Sequence, residues 1–221
     1  MLRIGLVELA PLSEGGAATY SLGLSEAIEH LGLDLEIELV RFANEATADG
    51  MREDSHRKVL FRKWERTAPA RFGSVRNWLA TFRQPKTPSL PEAISSEKID
   101  LVWFLAPSRV ISSIVNVPFV MTVWDVGHRE VQGFPEFSAS GQWRQREAGL
   151  DSNLGRAFHV VTDSVSTGQA LERIYGVYPH NWSSAGLLLP AEKVSDPGLA
   201  KGIPGSYFYY PANYWAHKNH R

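Results

Sequence analysis

The chain is predicted to be an α/β protein on a doubly wound, mostly parallel sheet, and three observations carry that expectation. Short apolar strands alternate with helical stripes along most of the sequence. The first unit reads strand, glycine-rich turn, helix, strand. At 221 residues, with 43% apolar and 21% charged residues, the composition suits a globular chain that can bury a full core.

Leu2 to Leu9 reads as a buried strand, closed by Pro11 and a loop ending at Gly15-Gly16. Glu8 interrupts its apolar run and no small-residue cleavage pattern follows, so the segment is a strand and not a signal core. From Ala17 onward, Tyr20, Leu22, Leu24, Ala27, Ile28 and Leu31 make a helical stripe, and Gly32 sits where a helix cap belongs. Leu35 to Phe42 returns as a strand. Val59, Leu60 and Trp64, then Val75, Trp78, Leu79 and Phe82, predict two helices, the second capped by Ser74. Pro85, Pro88 and Pro91 break the chain.

Asp100 leads into a strand over 101–105, and 118–123 makes another that ends at Trp124-Asp125. Residues 142–154 read as helix, 157–161 as strand, 164–175 as helix capped by Asp163 or Ser164, and 182–189 as a final strand. Asp196-Pro197-Gly198 and Gly202-Ile203-Pro204-Gly205 read as an interdomain linker. Residues 1–203 are therefore expected to form one domain, with 204–221 as the linker end and the opening strand and loop of a second. Six aromatics lie between Tyr207 and Trp215. If about 100 Å² of each stayed wet, roughly 15 kcal/mol of burial would be forfeited at about 25 cal/mol per Å². That segment is expected to pack on its own domain or on a second copy, a route to self-association.

Composition and charge remove several function classes. With no cysteine there is no disulfide, thiolate zinc site or Cys nucleophile, which suits a reducing cytoplasm. The apolar stretch 101–124 contains Pro107, Arg109 and Pro118, so no uninterrupted span crosses a bilayer. Net charge is −1 overall, yet residues 51–86 carry ten Lys and Arg against three acids. That basic segment either tracks a phosphorylated or lipid-linked acceptor, rests at the inner face of an anionic membrane, or is the solvated face of surface helices. A near-neutral chain without a recognition module argues against nucleic acid. His217 and His220, three apart with no further ligands nearby, make a weak case for metal, and none is expected.

In such sheets ligands bind beyond the carboxyl ends of the strands. The residues placed there are Gly15 and Gly16, Asp125 with His128 and Arg129, Thr162 with Ser164, and Asn213 with Lys218. Glycines before a helix let backbone N–H groups approach an anion, although the spacing of dinucleotide binders is missing and a ligand-free turn uses the same glycines. A strand-end carboxylate can hold a sugar hydroxyl and an adjacent His can do the same; a helix-capping Asp beside a solvated His-Arg pair is the other reading. Lys218 is a compact cation suited to a diphosphate, or one surface lysine among many.

Together these segments resemble the retaining group 1 glycosyltransferases, known as family 4, whose GT-B fold faces two Rossmann-like domains across a cleft. The likeness rests on Glu14-Gly15-Gly16-Ala17-Ala18-Thr19-Tyr20, on residues 118–129 with Phe134-Pro135-Glu136-Phe137, on Val161-Thr162-Asp163-Ser164, and on residues 210–220. Their order and spacing span nearly the whole chain. The resemblance implies transfer of a sugar from a nucleotide-diphosphate-sugar to a glycan or lipid-linked acceptor, with retention and no other cofactor. It assigns catalysis to Asp125 and His128. Donor and acceptor binding fall to Gly15, Gly16, Tyr20, Trp124, Arg129, Thr162, Ser164, Asn213 and Lys218, and Gly15, Asp125 and Thr162 are expected to share one hollow. The family's Glu-(seven residues)-Glu motif would lie beyond Arg221, so the chain is expected to be the acceptor-side half and inactive alone. Two other readings stay open: a GT-B nucleotide-sugar epimerase fragment, which needs acid and base groups in the cleft, and a non-catalytic adaptor that uses its basic segment.

Overall fold

A computed structural model of the chain describes residues 1–10, 15–33, 35–48, 57–62, 87–186, 206–208, 210, 212 and 214–219. The strands are β1 Leu2–Glu8, β2 Ile37–Ala43, β3 Arg57–Leu60, β4 Leu101–Phe104, β5 Phe119–Val123, β6 His159–Thr162 and β7 Trp182–Ser184. They form a seven-stranded sheet in the order β3-β2-β1-β4-β5-β6-β7, with every neighbouring pair parallel. From β1 the chain runs outward one way through β2 and β3, then returns to lay β4 to β7 on the other side. The order reverses between β1 and β4, where a doubly wound sheet opens a crevice at its carboxyl edge.

The helices are α1 Gly16–Leu33, α2 Glu45–Ala48, α3 Leu90–Ser96, α4 Gly127–Glu130, α5 Pro135–Ser138, α6 Gln142–Leu154 and α7 Val165–Tyr175. Strand side chains alternate between two apolar layers, which is why the central strands read as continuous hydrophobic runs. Leu6 and Leu39 meet Tyr20, Leu24 and Ile28 of α1. Val7, Val40 and Phe42 belong to the opposite layer, with Ile94 of α3, Leu150 of α6 and Leu171 of α7. Gly5 has no side chain for a packing reason, since a Cβ there would stand 2.8 Å from the Phe42 ring.

At the carboxyl end of β1 an ion pair is buried on the face of the sheet that α1 covers. Arg41 of β2, 2% exposed, donates through Nε to Glu8 Oε1 at 2.6 Å and lies 3.3 Å from Glu29 Oε1 of α1. The hydroxyl of Thr47 donates to the Glu8 carbonyl at 3.0 Å. Glu8, which interrupts the apolar pattern of the first strand, thus joins β1, β2 and α2 at one point.

Several expectations are corrected. Arg57–Leu60 is an edge strand and not a helix, because Val59 pairs with Phe42 in the sheet; Trp64 and the second predicted helix lie outside the described residues. α1 runs through Gly32 to Leu33, so Gly32 is not its cap, and Leu31 is exposed while Ser21 and Ser25 are buried. Pro91 opens a helix instead of breaking the chain: the Glu92 carboxylate accepts the Ser89 N–H and hydroxyl, each at 2.7 Å, and proline fits the first turn. Residues 142–154 and the Ser164 cap stand as expected, with Ser164 Oγ accepting the Thr167 N–H at 3.2 Å. The linker and residues 187–189 lie outside the described residues. Tyr207, Phe208 and Tyr210 are in no strand, and Ala216–Lys218 forms a short 3-10 turn.

Gly168 marks where α7 meets β7. A Cβ there would stand 2.1 Å from the Trp182 ring, whose Nε1 donates to Glu172 Oε1 at 2.7 Å. Gly168→Ala is expected to cost about 1–3 kcal/mol through overpacking, read as a lower urea midpoint with an unchanged slope. An unaltered midpoint would contradict this packing.

Candidate functional site

β5 ends in a turn that only a particular set of side chains can make. Asp125 Oδ1 accepts the Gly127 N–H at 2.8 Å and so opens α4. A Cβ on Gly127 would lie 2.7 Å from the Phe137 ring and 3.1 Å from Asp125 Oδ1, so α4 and α5 close on each other only through glycine. Arg146 of α6 lies above the Phe137 ring at 5.3 Å and donates to both Asp125 oxygens, at 3.1 and 3.4 Å. The Asp125 side chain remains 48% exposed.

This turn forms one wall of a cavity of about 310 Å³ at the carboxyl edge of the sheet. Met121, Val123, Trp124 and Leu150 supply apolar lining, and Ser108, Arg109, Asp125, His128, Gln142, Gln145 and Arg146 supply polar groups. Gln142, Gln145, Arg146 and Gly149 occur at three- and four-residue spacing, which sets them on one face of α6. A second hollow of about 270 Å³, lined by Ile94, Lys98 and Ile114 among others, lies at the opposite, amino edge of β4 and β5.

Behind the cavity His128 is buried at 1% exposure. Its Nε2 stands 3.1 Å from both Glu147 Oε2 and Tyr175 Oη, and the Tyr175 hydroxyl donates to Glu147 Oε2 at 2.8 Å. With the tyrosine hydrogen spent on Glu147, the hydrogen of the neutral imidazole belongs on Nε2, leaving buried Nδ1 without a partner. Burial pushes the His128 pKa below its ordinary value of 6.5 against the raising effect of Glu147. Burial raises the Glu147 carboxyl, but Arg129, Tyr175 and His128 outweigh it and hold the group below 4.5. Tyr175 is pushed up to about 12 by burial and by Glu147.

Arg129 closes this cluster, donating through Nε to Glu147 Oε2 at 2.8 Å with its guanidinium 5.2 Å from the Trp143 ring centroid. It does not line the cavity. Trp124 and Tyr20 meet edge to face at 6.0 Å, and both Trp124 Nε1 and Tyr20 Oη are buried without partners. Burial, with Asp163 adding, pushes the Tyr20 hydroxyl up to about 12.

Of the predicted site residues, Trp124, Asp125 and His128 come together in the cavity, while Tyr20 reaches it only by touching Trp124. Gly15 and Gly16 are exposed at the start of α1, where Gly15 has φ +57°. Thr162 is fully buried and donates to the Ser164 carbonyl at 2.8 Å, so it serves the β6–α7 turn, as does the Ser164 cap. Of the three residues expected to share one hollow, Asp125 lines this cavity, and Gly15 and Thr162 are not among its lining residues. Asn213 lies outside the described residues. Lys218 is exposed and follows His217, whose N–H donates to Glu136 Oε1 at 2.8 Å and whose ring contacts Phe134 and Phe137. The C-terminal segment thus packs on its own domain through His217, while Tyr207, Phe208 and Tyr214 stay largely in solvent.

Sequence reasoning missed Arg109, Gln142, Gln145 and Arg146. The last three share one face of a helix whose bounds were read correctly, so the signal was a polar stripe ending at Gly149. No helix among the described residues is long and apolar enough to cross a membrane, and none of their His, Asp and Glu residues form a group of three or more placed to hold a metal ion.

No protein-family model and no curated protein matches the chain. Among solved structures it is similar to a glycosyltransferase from Rickettsia africae, at 15% identity and a TM-score of 0.44 over 84% of this chain. It is also similar to HepE from Anabaena, solved with UDP and glucose, at 14% identity and a TM-score of 0.48 over 85% of this chain. The matches cover 42% and 45% of those two chains.

Two tests follow from the buried groups. The unfolded chain takes up a proton at His128 near pH 6.5 that the folded chain resists, so this contribution to stability is full above that pH and declines as pH falls below it. An NMR titration is expected to place the His128 midpoint below 6.5, and Glu147→Gln to lower it further; a midpoint at or above 6.5 would contradict the burial described. Burial raises the Glu136 carboxyl, but the N–H groups of His217 and of Glu136 itself and the His217 ring hold it below 4.5. The His217 contact therefore holds above that range and weakens as pH falls through the depressed value. Faster amide exchange at His217 is expected in Glu136→Gln, and an unchanged rate would refute the contact.

Proposed function

We propose that this chain is the acceptor-side, Rossmann-like domain of a GT-B glycosyltransferase that moves a sugar from a nucleotide-diphosphate-sugar to an acceptor with retention. The acceptor is seated in the cavity beside Asp125. One observation carries the reading: a cavity at the strand tips joins a carboxylate, two arginines and two side-chain amides to an apolar wall that includes Trp124. Planar polar groups of this kind bridge neighbouring hydroxyls, and an indole or aliphatic wall covers the C–H face of a sugar ring. The motifs in residues 118–129 and 210–220 support the same reading.

In this scheme Asp125 orients the acceptor. Its Oδ1 is engaged by Gly127 and Arg146, while Oδ2 has one long contact, at 3.4 Å to Arg146. The acceptor hydroxyl oxygen forms the new glycosidic bond as the bond from the anomeric carbon to the diphosphate breaks. Its proton passes to an oxygen of the departing diphosphate, whose charge Lys218 helps to stabilise. His128, buried and held by Glu147 and Tyr175, fixes the wall behind the acceptor; the catalytic assignment it carried in the sequence becomes a positioning role.

Titration calorimetry with a panel of monosaccharides and their methyl glycosides tests this reading. Asp125→Asn is expected to weaken saccharide binding about tenfold, the scale of a hydrogen bond to a charged group, with little change in thermal stability. Equal binding by Asp125→Asn, or no binding by the parent, would refute it.

A further inference from the structure

We propose that the saccharide seated beside Asp125 carries an oxyanion, a carboxylate or a phosphate, and that Arg109 is the side chain that reads it. This inference rests on the acceptor reading above and adds the charge class of the acceptor.

The charges on the cavity wall do not cancel. Arg146 is matched by Asp125 at 3.1 Å. Arg129 and Glu147 neutralise each other behind the wall, and burial favours the uncharged form of His128. Arg109 donates through Nη2 to the amide oxygen of Gln145 and has no carboxylate in ion-pair range among the described residues. An amide oxygen is a dipole and not a counter-charge. The guanidinium keeps most of its donors, in a fork that fits two oxygens of a carboxylate or phosphate.

The position of Arg109 is also built. It opens a 3-10 helix, Arg109–Ser113, whose Val110 and Ile111 are buried in the core. Ser108 Oγ accepts the Val110 N–H at 3.1 Å, which fixes the turn and leaves its own hydroxyl hydrogen free to donate. Across the cavity Gly149 leaves the wall open without being forced to, since a Cβ there would meet nothing within 4 Å. A wall with one surplus cation and donors from Ser108, Gln142 and Gln145 favours a ring with one negative group over a neutral ring.

Titration calorimetry in a phosphate-free chloride buffer tests the inference, with glucose, glucuronate and glucose 6-phosphate and their galactose counterparts as probes. At least one charged sugar is expected to bind ten times or more tighter than its neutral counterpart, with the preference shrinking as salt rises. Arg109→Gln should bring the charged sugar to the affinity of the neutral one, and Arg109→Lys should keep part of the preference. Which charged probe wins separates the carboxylate from the phosphate source.

Equal affinity for neutral and charged sugars would overturn the inference and leave the acceptor reading standing. A preference that survives in Arg109→Gln would overturn the role of Arg109. Displacement of the bound charged sugar by an equal concentration of inorganic pyrophosphate would assign Arg109 to a leaving diphosphate and overturn the proposal. Failure of every probe on folded protein would remove both readings together.

Discussion

Because all seven described strands run parallel, every loop that follows a strand emerges on one edge of the sheet. That constraint decides where chemistry can be built. The segments after β4 and β5 meet there, and α6 crosses beside them to complete the cavity. The buried Glu8–Arg41 pair sits at the same edge and, through the half-buried Glu29, ties β1 and β2 to α1. A buried pair of this kind adds little to stability over an apolar replacement, but loss of one partner leaves an uncompensated charge.

The electrostatics of the cavity follow from which charges are already matched. Asp125 with Arg146, and Glu147 with Arg129, each join a residue of the β5–α4 segment to α6. These pairs hold the segment in place at the expense of their availability to a ligand. His128 lies between them, its Nε2 shared by Glu147 and Tyr175. What the wall still offers is the outer side of Asp125, the glutamine amides and Arg109, which has no carboxylate in ion-pair range among the described residues. That composition is the basis of the proposal that the cavity holds a saccharide bearing one negative charge.

Much of the fold was legible because buried parallel strands leave apolar runs and α6 and α7 have clear limits. The errors have specific causes. Val59 and Leu60 fit a helical spacing, but edge pairing with β2 overrides so short a local pattern. Ser89-Leu90-Pro91-Glu92 contains a capping box that the cluster of prolines masked. Within the candidate site, Trp124, Asp125 and His128 were legible because they lie within a few residues of the end of β5. Arg109 and the α6 face were not, since their meeting depends on how β4, β5 and α6 pack and on no local motif. Thr162 shows a related effect, since its strand-end hydroxyl donates within its own turn.

Amide chemical-shift mapping during a sugar titration tests the proposal that the cavity beside Asp125 holds a saccharide. Saturable shifts clustered at Ser108, Arg109, Asp125 and Gly149 are expected. Shifts centred on Ile94, Lys98 and Ile114 at the opposite edge, or on Gly15 and Gly16 alone, would contradict it.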